Sequence, residues 1–384
     1  MKLLTVFGTR PEAIKMAPLV RALAEESGVE SHLCVTGQHR QMLDQVLGLF
    51  GIVPDIDLAL MEPGQSLNGL VSRAIARLDA VLEELKPDRV LVHGDTSTAM
   101  AAALAAFHRG IPVGHVEAGL RTYHLDRPFP EEMNRRAIDI VSDLLFAPTA
   151  AARANLEREA LEGRILVTGN TGIDALEQVA ARLEADAELR ASVDAELPRI
   201  AEGRRLLLVT GHRRESFGLG FQNICAALGH LAGREDVDIA YPVHLNPNVR
   251  GPVEQALGGR PNVHLLAPLD YLPFVRMMQR ADIILTDSGG VQEEAPSIGK
   301  PVLVMRDVTE RPEAVAAGTA RLIGTRAPRI IEEVEQILDA GRGQPPAGPN
   351  PYGDGKASAR IADALLGRPF EPFDAASRPI PAFG

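Results

Sequence analysis

The sequence predicts an α/β protein made of two doubly wound parallel sheets. Three observations carry that prediction: a length of 384 residues, short apolar runs that alternate with helical patterns, and a restart of the alternation halfway along the chain. Single domains usually span roughly 100–200 residues, so a chain this long divides in two. Strands that alternate with helices pair in parallel and carry helices on both faces.

In the first half the strand-like runs fall at 2–7, 31–36, 89–93, 113–116, 144–147 and 165–168. The first has a Lys before apolar residues, as a secretion signal does, but Gly8-Thr9-Arg10-Pro11-Glu12 ends it far too early, so it reads as a buried strand. Leu67, Leu70, Val71, Ala74, Leu78, Val81, Leu82 and Leu85 recur at spacings of one, three and four, the apolar face of a long helix that Pro87 closes. Turn residues Gly169-Asn170-Thr171-Gly172 set the predicted boundary, with an N-terminal domain over 1–170 and a C-terminal domain over 171–366. After an acidic, Ala-rich stretch the runs resume at 205–210, 237–241, 263–266, 283–286, 301–305 and 321–323. A Gly- and Pro-rich loop at 341–355 leads to a last helix at 356–366, and the tail 367–384 is expected to pack on the surface.

Composition excludes several functions. A net charge of −11 argues against a sequence-independent grip on nucleic acid. No apolar run approaches the roughly 20 residues that cross a bilayer, so no membrane association is expected. The two cysteines, Cys34 and Cys225, form no CxxC or Cys/His cluster, which leaves no disulfide framework or thiolate metal site and points to the cytoplasm. Neither a metal nor a cofactor is implied.

Ligands of doubly wound sheets sit beyond the carboxyl ends of the strands, so the polar residues that carry chemistry should follow the apolar runs, lining a cleft between the two domains. After the first run, Gly8-Thr9-Arg10-Pro11 turns into a helix, with Arg10 placed to clamp a diphosphate and Lys15 in support. Asp95 ends the run 89–93; taken alone, it or Thr96 is an ordinary helix cap. Glu117 ends the run 113–116, and Glu131 opens a helix behind the stiff loop Arg127-Pro128-Phe129-Pro130. Three carboxylates at successive exits of one sheet are costly without a task.

In the second half, His212 with Arg213 and Arg214 follows the run 205–210, where cations suit a diphosphate. Thr286-Asp287-Ser288-Gly289-Gly290 opens a helix whose free N–H groups would cradle a phosphate, close approach being allowed by glycine. Glu294, one turn further in, is placed to take ribose hydroxyls, and Arg311 adds a loop cation.

Together, FGTRPEAIKMAP from Phe7, TGQHRQMLD from Thr36, HGDTST from His93, HVEAGLRT from His115, PEEMNR from Pro130, GHRRES from Gly211, PVHLNPNV from Pro242, TDSGGVQEEAPS from Thr286 and VMRDVTERPEA from Val304 resemble the non-hydrolysing UDP-N-acetylglucosamine 2-epimerases over nearly the whole chain. The resemblance implies the GT-B fold, two Rossmann-like domains with the ligand between them. It implies interconversion of UDP-N-acetylglucosamine and UDP-N-acetylmannosamine for cell-surface polysaccharide synthesis, with no cofactor. It further implies that Leu269 and Phe274 flank uracil, that Glu294 takes the ribose, and that Ser288, Gly289, Gly290 and Arg10 hold phosphates. Asp95, Glu117, Glu131 and His212 are the implied catalytic group: Asp95 and Glu131 as proton handlers, Glu117 as an orienting group or support for Asp95, His212 on the phosphate side. A second, regulatory nucleotide-sugar site would use Gln38, His39 and Gln41 together with His244, and a homodimer is implied. Two departures stand out, Ser216 and Gly172, neither expected to touch a catalytic position. A hydrolysing 2-epimerase, a glycosyltransferase of the same fold and a non-catalytic UDP-sugar sensor remain as alternatives.

Overall fold

The computed structural model describes residues 1–37, 40–62, 64–213, 216–309, 311–341 and 348–375. They form two compact units. The first joins Met1–Ala175 to Tyr352–Asp374, and the second takes Leu176–Pro351.

The first unit runs β1 (Lys2–Phe7), α1 (Arg10–Glu25), β2 (Glu30–Val35), α2 (Arg40–Phe50), β3 (Ile56–Asp57), α3 (Leu67–Leu85), β4 (Arg89–His93), α4 (Ser97–His108), β5 (Val113–Val116), α5 (Glu131–Val141), β6 (Leu144–Ala147), α6 (Ala150–Arg158) and β7 (Arg164–Val167). Its seven strands lie parallel in the order β3-β2-β1-β4-β5-β6-β7. The chain winds outward from β1 in both directions, so β1 and β4, where Thr5 pairs with Leu91, bound the crevice of a doubly wound sheet. Central strands buried on both faces are largely apolar, as Leu3, Leu4, Val6 and Phe7 are, with the buried Thr5 the polar exception in β1. Against one face packs α3, whose buried Leu70, Ala74, Leu78 and Leu82 are the stripe read from the sequence. The strand β3 has only two residues, too short to leave a pattern.

The second unit follows α7 (Thr171–Ala185) with α8 (Ala187–Glu196), β8 (Arg205–Thr210), α9 (Leu219–Leu231), β9 (Val237–Pro242), α10 (Pro247–Leu257), β10 (Val263–Leu266), α11 (Tyr271–Arg280), β11 (Ile283–Thr286), α12 (Gly289–Glu294), β12 (Val302–Val304), α13 (Pro312–Ala316), β13 (Ala320–Leu322) and α14 (Ala327–Asp339). Its parallel strands are ordered β10-β9-β8-β11-β12-β13, and the winding reverses between β8 and β11. Fully buried Leu207, Val209, Tyr241, Ile283 and Leu285 centre its core.

The last helix, α15 (Ala357–Leu365), differs from expectation: it belongs to the first unit, which itself ends at Ala175 rather than at 170. The buried carboxylate of Asp174 accepts the N–H groups of Ala357 at 3.2 Å and Ser358 at 2.7 Å, capping α15 from α7. Asn170 N–H donates to Tyr352 O at 2.8 Å, and Phe373 N–H to Val167 O at 2.9 Å, which docks the start of the expected tail on β7. Residues 376–384 of that tail lie outside the described residues. Local pattern marks a helix but not the sheet that receives it.

Burial outweighs the capping bonds of Asp174 and lifts its pKa from 3.8 to about 6. A carboxyl whose pKa is higher folded than unfolded binds more protons in the native state between those values, so its contribution falls as pH rises from 4 to 6. In urea unfolding at pH 4 and pH 7, Asp174→Asn should therefore gain on the wild type by on the order of 2–3 kcal/mol as the pH increases. A difference that does not change with pH would contradict this assignment.

Candidate active site

In the first unit the site residues converge where β1, β4 and β5 end. Thr9 caps α1, and Glu12, three residues on, completes a capping box. Glu12 does more than cap: its buried Oε2 accepts from Gly8 N at 3.0 Å and Thr9 N at 2.8 Å, while Oε1 accepts from Thr96 Oγ1 at 2.6 Å. The exits of β1 and β4 are thereby tied together. Burial pushes the Glu12 carboxyl up, and those hydrogen bonds oppose the shift. Thr96, not Asp95, caps α4, its Oγ1 accepting from Ala99 N at 3.0 Å.

That leaves the Asp95 side chain available. Its Oδ2 pairs with Arg135 at 2.7 Å and it keeps 28% of its side-chain surface. Its carboxyl is nonetheless raised, first by burial and then by the charges of Glu117 and Glu131, against the pull of Arg135 and Lys15. Glu117 pairs with Lys15, accepts from Asn170 Nδ2 at 3.4 Å, and lies 3.6 Å from His93 Nε2. It adopts a φ of +67°, a left-handed conformation that costs a non-glycine residue about 1–3 kcal/mol. His93 is buried with neither ring nitrogen hydrogen-bonded among the described residues, and burial lowers its pKa to about 4, so it faces Glu117 uncharged.

Glu131 opens α5, and its buried Oε2 has no hydrogen-bond partner among the described residues. The next residue, Glu132, is fully buried and accepts from Thr122 N at 3.0 Å and Tyr123 N at 2.9 Å, pinning the loop that leads into α5. Lys15, Asp95, Glu117 and Glu131 thus lie close enough to act on one another's charge. Arg10, the first residue of α1, has no side-chain partner among the described residues. Gly172 touches none of the four expected catalytic residues but lies beside Lys15: a Cβ there would be 3.4 Å from Lys15 Cγ and 3.1 Å from Asn170 Oδ1.

In the second unit the exits of β8 and β11 are joined by a residue given no role above. Asp287, fully buried, accepts from the N–H groups of His212 and Arg213, both at 2.8 Å. His212 Nδ1 lies 3.6 Å from Asp287 Oδ1, and its ring stacks on His244 with centroids 5.4 Å apart. Burial lowers the His212 pKa, with His244 and Arg213 adding to the shift and Asp287 opposing it.

Ser288 precedes α12 and makes no capping bond with its side chain, and a Cβ on Gly290 would have Ser288 Oγ as its nearest neighbour, at 4.0 Å. A Cβ on Gly289 would come within 3.2 Å of the Arg311 guanidinium, which Glu293 holds through Nε at 2.7 Å. Glu294 lies near Tyr271, whose pKa is raised well above its usual value, mostly by burial and partly by that carboxylate. Leu269 and Phe274, half-buried, flank the start of α11. Of the suggested regulatory residues, His244 is exposed, whereas Gln38, His39 and the Gln41 side chain lie outside the described residues. Among the described residues no cluster of His, Cys, Asp and Glu is arranged to hold a metal, and no helix is long and apolar enough to cross a membrane.

Three supports escaped the sequence reading. Glu12 had a signal, the Thr-x-x-Glu capping pattern. Asp287 and Arg135 had none, because the partners that give them meaning are distant in the chain.

Comparison with known proteins covers nearly the whole chain. A family model described as UDP-N-acetylglucosamine 2-epimerase matches residues 21–366. The UDP-N-acetylglucosamine 2-epimerase of Escherichia coli strain K12 is 57% identical over 369 residues, 95% of this chain and 98% of that protein. A crystal structure of the Neisseria meningitidis enzyme bound to UDP-GlcNAc superposes with a TM-score of 0.87 at 49% identity, covering 96% of this chain and all of that one. The Methanocaldococcus jannaschii enzyme in complex with UDP-GlcNAc and UDP gives 0.79 at 34% identity, over 95% of this chain and 99% of that one.

The turn after β1 is tight at Gly8, since a Cβ would meet Thr36 Oγ1 at 2.1 Å, Thr98 Oγ1 at 3.1 Å and Thr36 Cβ at 3.4 Å, the first being by far the severest clash. Gly8→Ala should lower kcat about 100-fold by displacing the turn that Glu12 anchors. Adding Thr36→Ala removes the clashing oxygen and should restore at least a tenth of the activity; a double variant no better than the single one would show that the clash is not the cause.

Proposed function

The chain belongs to the UDP-N-acetylglucosamine 2-epimerase family, and we propose that its two half-sites divide the work of a reversible elimination. The protein is an isomerase that inverts carbon 2 of UDP-N-acetylglucosamine. The proton on carbon 2 has no neighbouring carbonyl to acidify it, so its removal alone would leave an unstabilised carbanion. If the C1–O bond to UDP breaks as the proton leaves, the C–H electron pair becomes the C1–C2 double bond of 2-acetamidoglucal and the negative charge departs on UDP. Returning a proton to the opposite face of carbon 2 while a UDP oxygen re-forms the bond to carbon 1 yields UDP-N-acetylmannosamine.

Two proton-handling groups are needed, with proton affinities set apart by environment. The observation that carries the assignment is the raised Asp95 carboxyl, coupled to Glu117 and Glu131. Asp95, beside Arg135, and Glu131, with one oxygen unpartnered, are the proton handlers; Glu117, held by Lys15, orients the sugar. The second unit takes UDP: Leu269 and Phe274 at uracil, Glu294 at ribose, and Ser288, Gly289, Gly290 and Arg311 at the diphosphate, with His212 on the same side. The two free, buried cysteines and the lack of a candidate span among the described residues fit a cytoplasmic enzyme. Exposed Phe107 on α4 and Ile140 on the adjoining α5 fit a homodimer, and the product suits cell-surface polysaccharide synthesis.

Proton NMR of UDP-N-acetylglucosamine with the enzyme in deuterated water should show deuterium at carbon 2, the mannosamine epimer and no accumulating free sugar. Sedimentation of the same sample reports whether the 41.2 kDa chain pairs. Asp95→Asn and Glu131→Gln should each reduce exchange at least about 1,000-fold while binding UDP as the wild type does. Exchange surviving both substitutions would remove these carboxylates from the chemistry, and steady release of free N-acetylmannosamine would favour a hydrolysing enzyme.

His212 stacks on His244, the one member of the suggested regulatory set whose side chain lies among the described residues, and so joins that histidine to the proposed phosphate side. Epimerisation of UDP-N-acetylmannosamine should accordingly start with a lag that traces of UDP-N-acetylglucosamine abolish. Initial rates indifferent to that addition would exclude an obligatory activator.

A further inference from the structure

The three carboxylates of the first unit stand on separate segments: the loop after β4, the end of β5 and the first turn of α5. One buried polar chain reaches all three. His115, on β5 two residues before Glu117, is fully buried; its Nε2 lies 2.7 Å from the Gly94 carbonyl oxygen and its Nδ1 2.6 Å from Asp139 Oδ1. Asp139 sits on α5, the helix that Glu131 opens. Its other oxygen pairs at 2.7 Å with Arg121 of the loop after β5, and the side chains of Arg121 and Asp139 are fully buried. Arg121 in turn donates to both carboxylate oxygens of Glu159, at 2.8 and 2.9 Å.

The backbone that precedes Asp95 is consequently held by β5 at two successive peptide groups. Gly94 donates its N–H to Val116 O at 2.9 Å and offers its carbonyl to His115, while the Asp95 carbonyl accepts from Asn134 Nδ2 at 2.8 Å. Buried ionic groups are weak stabilisers, since apolar residues of similar volume often serve as well or better. Their distinctive contribution is a fixed geometry, and a displacement of about 1 Å at a reacting group can cost about 100-fold in rate.

We infer that His115, Asp139 and Arg121 form a positioning device that sets the spacing of the Asp95, Glu117 and Glu131 carboxylates, acting through the Gly94 carbonyl. The inference rests on the proposed role of those carboxylates. None of the three residues is assigned a contact with substrate.

Two amide substitutions separate the ends of the ring. The amide nitrogen of Asn reaches about as far as Nδ1, so His115→Asn keeps the Asp139 contact and loses Gly94; that of Gln reaches about as far as Nε2, so His115→Gln keeps Gly94. His115→Asn should lower kcat about 30- to 100-fold, while His115→Gln stays within about fivefold of the wild type. Both should bind UDP with unchanged Kd by calorimetry, because UDP is assigned to the second unit. Equal rates for the two variants, or a loss that follows only the folded fraction or UDP affinity, would overturn the inference. If neither variant folds, Arg121→Lys supplies the reading: it leaves the ring in place, loosens Asp139, and should lower kcat at least about threefold at constant UDP affinity, an unchanged kcat being the contrary result. A wild type that incorporates no deuterium at carbon 2 would instead refute the functional assignment, whereas a wild type that exchanges normally beside an equally active His115→Asn would refute this inference alone.

Discussion

Negative charge has to be kept inside the first unit, and most of the structure around β1, β4 and β5 answers that constraint. Asp95, Glu117 and Glu131 interact strongly enough that the last two raise the proton affinity of the first. An exposed ion pair contributes about 0–1 kcal/mol, but removing one member of a buried pair costs about 3–5 kcal/mol, because the survivor has neither water nor partner. Two of the three are met by groups from other segments, Glu117 by Lys15 of α1 and Asn170 after β7, Asp95 by Arg135 of α5, while Glu131 keeps one buried oxygen without a hydrogen bond among the described residues. The left-handed backbone of Glu117 is a further cost that these contacts offset.

The second unit solves the converse problem with the same winding. At its switch point the buried Asp287 accepts the backbone N–H groups of His212 and Arg213 on Oδ2 and turns Oδ1 toward the His212 imidazole, 3.6 Å away. One acidic residue there organises cations and amides, whereas in the first unit cations organise acids. Glu293 repeats the pattern by holding Arg311 beside Gly289. An anion is suited to the second arrangement and a proton donor or acceptor to the first.

Much of this was legible in the sequence because it is local. A buried parallel strand is largely apolar along its length, so the runs at 89–93 and 205–210 coincide with β4 and β8, and polar residues just beyond them mark the strand exits. The Leu67–Leu85 stripe is equally local. What could not be read depends on partners far apart in the chain. Asp174 looks like any first-turn acid until α15 arrives 183 residues later. Gly172 looks remote from the chemistry until Lys15 lies against it. Asp287, between a strand and a glycine turn, gives no hint that it collects the amides of residues 75 positions earlier.

The arrangement of buried charge also bears on how stability and chemistry trade against each other. A carboxyl whose proton affinity is raised by burial makes the folded state less favourable once it ionises, so Asp95 and Glu12 both weaken the protein above the ordinary carboxylate range. The two are compensated differently. Glu12 accepts four hydrogen bonds from Gly8, Thr9 and Thr96, its oxygens are fully engaged, and it serves as a brace. Asp95 has one guanidinium on one oxygen and an exposed remainder. A buried acid that is fully satisfied cannot take up or release a proton without breaking its own contacts. One that is only partly satisfied can, and under the proposed elimination this difference is why Asp95, rather than the more deeply buried Glu12 beside it, is suited to exchange a proton with carbon 2.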